Sequence, residues 1–295
     1  MSQTVSPSVG RAYGLARVCS VWEVPRSSVY AAKQRRSRPL PIRAKRGPKT
    51  ALSDAELTDH IRSVIGQSAF LGEGYRKVWA RLRLAGIRTS RPRVLRLMRA
   101  AQLLAPNRAR RAPQSTSHDG HIITALPNQM WGTDATSAWT SEGVGTIFFA
   151  IDHCTGECVG IHAARRGTRF EALEPIRQGV REQFGGYEKG IAASLSLRHD
   201  HGSQFMSDAF QDELRFLGIA SSPAFVREPE TNGVAERFVK TLKEQLLWVQ
   251  HFETIEQLRL ALLAFRHRYN HAWLVQRHGY RSPAAVRADL LSRAA

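Results

Sequence analysis

The sequence predicts an α/β protein: a mixed five-stranded sheet with flanking helices over residues 126–295, preceded by an all-α, strongly basic region. Three observations lead there. Apolar residues recur at helical spacing through the first hundred positions; strand-like segments come in a run after residue 126 and then alternate with helical ones; and the charge is confined to one end. Residues 1–111 hold 24 Lys and Arg against 5 Asp and Glu, whereas residues 112–295 hold 19 against 20. The net charge of +18 therefore originates entirely before residue 112. Such a surplus strains a compact region by self-repulsion unless a polyanion neutralises it, which points to nucleic acid. On charge alone, RNA or an anionic membrane surface satisfies the same condition. No apolar run reaches the length of a membrane span, and no signal peptide precedes the first basic stretch.

Residues 1–50 read as a basic segment in which Tyr13, Leu15, Val18, Val21 and Trp22, then a turn at EVPRSS, fit a small helix–turn–helix before the Pro-containing stretch RRSRPLPIRAKRGPK. Residues 51–104 form a stronger helical pattern. Ser53 and Glu56 make a capping box, and Leu57, Ile61, Val64 and Ile65 make an inward stripe. A second helix carries Tyr75, Val78, Trp79 and Leu82 and stops near Gly86. A third, RPRVLRLMRAAQ, turns Val94, Leu95 and Met98 inward and leaves Arg91, Arg93, Arg96 and Arg99 outside as candidate DNA contacts. Helix, short turn and Arg-rich helix is the plan of a major-groove reader. A basic three-helix bundle that grips only phosphates fits the same pattern.

Residues 105–125 read as a linker rich in Pro, Arg, Ser and Gln. Beyond it, strands are expected at 129–139, 145–153 and 157–164, then a helix TRFEALEPIRQGVREQFG, a strand at 194–198, one helix QFMSDAFQDELRFLG, a short strand SSPAF and two long helices. The cysteines are Cys19, Cys154 and Cys158, an odd number that suits a reducing compartment. Cys154 and Cys158, with His153 and His162 nearby, fall on an expected hairpin and read as packing rather than as a zinc site.

Three acidic residues carry the chemistry: Asp134 in MWGTDATSAW, Asp200 in LRHDHGSQF and Glu236 in ETNGVAERFVKTLKEQ. Asp134 lies in a partly buried strand, and Asp200 sits where a strand passes into a helix, the usual mouth of a site in open α/β sheets. Ala235, Phe238, Val239, Leu242 and Leu246 form one buried helical stripe. Glu236, Lys240 and Lys243 share a face about a quarter-turn away. Taken alone each residue has an ordinary explanation, Glu236 and Lys240 being a common helical ion pair. Together, three carboxylates suit two hard cations that take oxygen ligands and clamp the attacking and leaving oxygens of a phosphodiester.

Thirty-five residues separate Asp200 from Glu236, the spacing of the DDE motif in transposases and retroviral integrases. The chain resembles the bacterial insertion-sequence transposases of the IS-three group, through GEGYRKVWARLRLAGIRTSRPRVLRLMRAAQLLAP, the segment around Asp134, RHDHGSQF, SSPAFVREPETNGVAERFVKTLKEQ and YNHAWLVQRHGYRSPAAV. That resemblance implies an RNase H-like sheet and a DDE polynucleotidyl transferase. Asp134, Asp200 and Glu236 would ligate two Mg2+ or Mn2+ ions, and Lys240 and Lys243 would hold DNA beside them. It also implies terminal inverted repeats and target DNA as partners, a homo-oligomer on DNA, a possible upstream-frame product, and a bacterial cytoplasmic, nucleoid-associated protein. Two departures stand out: His199 replaces a common Ser, and Trp273-Leu274 follows Tyr269-Asn270 in place of an Arg-Pro-His run. The alternative reading is a transposase-derived DNA-binding regulator with an inactive core.

Overall fold

The computed structural model describes residues 1–37, 51–106, 124–223 and 233–294. The two stretches expected to be linkers therefore lie mostly outside the described residues. The chain divides into two compact units, Met1–Ala51 and Leu52–Ala295. In the first, α1 (Gly14–Val21) and α2 (Arg26–Ser37) form the expected helix pair, with Cys19 buried and Val21 and Trp22 exposed.

The second unit begins with α3 (Asp54–Gly66), α4 (Tyr75–Leu84) and α5 (Arg91–Ala100). The Ser53–Glu56 capping box is complete, and Gly86 adopts the left-handed φ of 81° that ends α4. Their shared core is Leu57, Ile61, Val78, Leu82, Val94, Leu97 and Met98. Leu97, not Leu95, completes the inward stripe of α5, because the helix faces its neighbours with a 3.6-residue period set by Val94.

The sheet is built from β1 (Met130–Thr140), β2 (Gly143–Asp152), β3 (Cys158–Ala164), β4 (Ser196–His199) and β5 (Ala220–Pro223), in the order β3-β2-β1-β4-β5. The first three are antiparallel, and β4 and β5 add in parallel beside β1. The remaining expected strand residues, Ala224 and Phe225, lie outside the described residues. This is the mixed five-stranded sheet the sequence predicts. On one face Trp131, Phe148 and Val159 pack under α6 (Arg169–Phe184), α7 (Ser203–Met206) and α8 (Asp208–Leu217). The single helix expected over 204–218 is two, because Ser207 turns extended (φ −70°, ψ 146°) and its hydroxyl donates to the Gln204 carbonyl.

On the other face Ile147, Phe149, Ile151 and Ile161 pack under α9 (Gly233–Leu242) and α10 (Ile255–Ala272). A π-helical turn, Lys243–Leu247, extends α9, and a further helix α11 (Pro283–Ala294) follows the two long helices the sequence predicts. Phe70, from the loop between α3 and α4, joins this core and meets Trp273 edge-on at 4.9 Å. Ala80 and Trp79 of α4 pack with Leu274 and Tyr280. The residues Trp273 and Leu274 that depart from the family pattern thus seat the helical layer on the sheet domain. No helix among the described residues is long and apolar enough to cross a membrane.

Helix α6 lies very close to β3. A Cβ on Gly160 would stand 2.0 Å from the Pro175 carbonyl oxygen, and one on Gly179 2.8 Å from the Trp131 ring. Because the obstacle at Gly160 is backbone, Gly160→Ala is expected to cost about 3 kcal/mol or more, at the upper end for overpacking. Urea unfolding measures this; a change below about 1 kcal/mol would show that α6 is free to lift off the sheet.

Candidate active site

Asp134 projects from β1 on the face covered by α9. Its cross-strand partner on β2 is Phe149, and Phe238 of α9 lies against Phe149 with ring centroids 4.9 Å apart. That contact pins the first turn of α9, which carries Glu236, at the level of Asp134. Asp200 follows the last residue of β4, one strand over. Its carboxylate accepts the Gly202 N–H at 2.8 Å, an Asx turn that closes the corner into α7. The Asp134 carboxylate accepts the Ala135 N–H at 2.7 Å.

Electrostatics bring the three acids together. Burial raises the Asp134 carboxyl above the usual Asp range, and Asp200 and Glu236 push it the same way, while the Ala135 N–H and the Lys243 ammonium oppose them. Asp134 is half-buried, whereas Asp200 and Glu236 are exposed. Like charges nearby disfavour ionisation of Asp134, and a bound cation would offset that. The donors are hard carboxylate oxygens, suited to Mg2+ or Mn2+. Among the described residues, however, no three Asp, Glu, His or Cys side chains stand close enough to enclose one cation. The carboxylates share a field and not a cage.

Lys243 opens the π turn and reaches Asp134 electrostatically; Lys240, one turn earlier, is exposed and is not among the groups that shift Asp134. The Arg-rich face of α5 is largely engaged within the protein. Arg93 and Arg96 both bind Asp54, at 2.9 and 2.7 Å, and Arg91 lies over the Trp79 ring at 4.2 Å. These contacts hold the Asp54 carboxyl below its usual range, through hydrogen bonds from Arg96 and then Arg93. Arg99 is exposed.

Two supporting residues have roles that the sequence did not assign. His199 is buried; its Nδ1 lies 2.7 Å from the Asp200 carbonyl and its Nε2 2.9 Å from the Ser221 hydroxyl. Burial lowers its pKa. A carbonyl only accepts, so Nδ1 carries the proton and Nε2 receives the Ser221 hydroxyl, tying β4, β5 and Asp200 together. Gln245, in the π turn, donates to the Leu71 carbonyl at 2.9 Å and accepts the Leu71 N–H at 2.8 Å. His199 was visible as a departure from the family pattern. Nothing in the sequence marked Gln245, since the π turn that aims it has no local signature.

Comparison with known proteins follows this geometry. An "Integrase core domain" family matches residues 217–283, and an "HTH-like domain" family matches residues 54–111. The InsD transposase of Escherichia coli insertion element IS2 is 27% identical over 93% of this chain and 91% of its own length. Over nearly its whole length the chain is thus similar to an insertion-sequence transposase. A 48.2 kDa protein of E. coli element IS2A is also 27% identical, over 94% of this chain, which spans 65% of that longer one. The catalytic core domain of BIV integrase aligns over 55% of this chain and 95% of its own, with 20% identity and a TM-score of 0.42.

The Asx turn at Asp200 yields a direct test. A Cβ on Gly202 would lie 2.9 Å from Asp200 Oδ1 and 2.7 Å from Gln204 Nε2, both flexible side-chain ends, while the backbone (φ −56°, ψ 140°) accepts any residue. Gly202→Ala is therefore expected to move the melting midpoint by less than about 2 °C. DNA strand cleavage should fall by about tenfold or more as the carboxylate is displaced. Unaltered cleavage would mean that Asp200 does not need this position.

Proposed function

We propose that this transposase cuts and joins DNA at the ends of its own insertion sequence through Asp134, Asp200 and Glu236. The observation that carries the reading is that Asp200 and Glu236, held just past β4 and on α9, both act electrostatically on Asp134 of β1. Asp134, whose carboxyl is raised by burial and then by Asp200 and Glu236, would be the shared ligand of two Mg2+ or Mn2+ ions, with Asp200 and Glu236 each completing one. When bound, the cations polarise the scissile phosphate and offset charge on the entering and leaving oxygens.

The chain's own residues then have distinct tasks. Ala135 and Gly202 orient two carboxylates by backbone donation, and Lys243 offers an ammonium group for a DNA phosphate beside Asp134. In the first step water attacks a phosphorus at the element end, breaking its bond to the 3′ oxygen and leaving a 3′-hydroxyl and a 5′-phosphate. In the second, that 3′-hydroxyl attacks a target phosphodiester and displaces the target's 3′ oxygen. One ester is exchanged for another, so no energy source and no covalent protein–DNA link is required. Residues 51–104 would recognise the terminal repeats and residues 126–295 carry out the chemistry, as an oligomer on DNA. A product of an upstream reading frame would complete the active protein, in keeping with the longer relative. No observation favours a regulator with an inactive core.

Substitution of the acids tests this. Asp200→Asn keeps the shape but removes a charge and a good ligand, so cleavage and strand transfer in Mg2+ should fall by about 100-fold or more while duplex binding persists. Asp134→Asn and Glu236→Gln should match it, and chelation of divalent cations should do the same to the wild type. Near-normal cleavage by any one variant would remove that residue from the site.

A further inference from the structure

The helical layer is rich in cations, yet most of them are already committed. Arg81 binds Glu73 and the Ala272 carbonyl, and Lys77 lies half-buried over the Trp273 ring with its Nζ 3.9 Å from Glu73. Arg93 and Arg96 share Asp54, and Arg91 lies between the Trp79 and Tyr280 rings, at 4.2 and 5.7 Å. Arg83 and Arg88, flanking the turn from α4 to α5, are exposed and have no carboxylate partner among the described residues, which is also true of Arg76 and Arg99. With Thr89, Arg83 and Arg88 line a cavity of about 310 Å3.

Two features make this cavity a built site. The Thr89 hydroxyl is buried without a hydrogen-bond partner, although the same residue's carbonyl is fixed by the Trp79 indole N–H at 2.8 Å. A buried, unpaired hydroxyl is costly unless something external satisfies it. Arg83 is in turn steadied over the Trp79 ring, 5.1 Å from its centroid, so its guanidinium is partly ordered in advance. Beside them, Ser90 caps the N-terminus of α5, whose dipole favours an anion.

We propose that Arg83, Arg88 and Thr89 form a subsite for a backbone phosphate of duplex DNA, and that this turn is the phosphate-gripping edge of the layer. The proposal deepens the transposase reading and rests on it. Two guanidinium groups supply charge-assisted donors and the threonine hydroxyl a neutral one. A phosphate contact sets register without reading bases, so its loss must weaken all sequences alike.

Fluorescence anisotropy with the full chain, on an element-end duplex and a scrambled duplex across a salt series, tests it. Arg83→Ala/Arg88→Ala should weaken binding to both duplexes equally and flatten the plot of log K against log salt by about 0.9, the contribution of one phosphate contact. Arg88→Ala alone, which disturbs no described side-chain contact, should flatten it in the same direction by less. Arg62→Ala/Arg215→Ala removes the same net charge from two exposed pairs with Asp59 and Asp212, and should leave the slope nearly unchanged. Thr89→Val should preserve the melting midpoint, since it deletes an unpaired hydroxyl, and weaken both duplexes without changing the slope. A slope for the double variant equal to that of the charge-matched control, or a loss confined to the end duplex, would overturn the subsite. The scrambled-duplex slopes require neither cleavage nor end recognition, so a failure of the transposase reading would leave them interpretable.

Discussion

Everything about the proposed active site depends on holding like charges near one another on elements that cannot drift apart. Three carboxylates in one field repel, so their supports must be rigid before any cation arrives. The contact of Phe238 with Phe149 supplies that rigidity: it presses α9 onto the strand residue paired with Asp134, and Phe265 and Tyr269 of α10 close over Phe238 at 6.1 and 5.0 Å. The apolar stripe of α9 therefore does more than stabilise a helix. It converts burial energy into a fixed position for Glu236, which sits exposed on the same helical turn as the buried Ala235.

The same helix also connects the catalytic face to the helical layer. Gln245 satisfies both backbone groups of Leu71, while Phe70 beside it enters the core and meets Trp273. The π turn makes this possible, because widening the helix at Lys243 re-aims the side chains that follow. The buried pair of Glu73 and Arg81, with the Arg81 link to the Ala272 carbonyl, strengthens the same seam.

A second group of cations is spent inside the sheet domain. Arg287 from α11 binds Glu157 and Asn128 and approaches Asp152, Arg277 donates to the carbonyls of His153 and Cys154, and Arg266 donates to those of Cys158 and Val159. Arg277 and Arg266 therefore satisfy backbone carbonyls where β2 turns into β3, and Arg287 satisfies carboxylates there. The buried Arg287 pair gains little net stability but is costly to leave unpaired, so it fixes where α11 docks. Cys158 in the same region is fully buried, its thiol pushed up to about 12 by desolvation and its Sγ set toward the Gly160 carbonyl.

The sequence by itself determined what depends on local periodicity and on residue chemistry. Alternation around Asp134, the 3.6-residue stripes of α3, α4 and α9, the Ser53 capping box and the charge split give the five-stranded sheet, the basic helical layer and the three acids. The tertiary structure decided what depends on which side chains meet at long range. The break at Ser207, the inward turn of Leu97, the π turn at Lys243 and the Gln245–Leu71 pair arise from contacts between segments far apart in the chain, and no local window encodes them. The arginines of α5 make the point most plainly. Read along the chain they are one outward basic face, but Asp54, Trp79 and Tyr280 come from other elements and claim Arg91, Arg93 and Arg96, leaving Arg83 and Arg88 at the turn without a carboxylate partner among the described residues. Charge can be counted from sequence; whether a given charge is already neutralised is settled only by its neighbours in space.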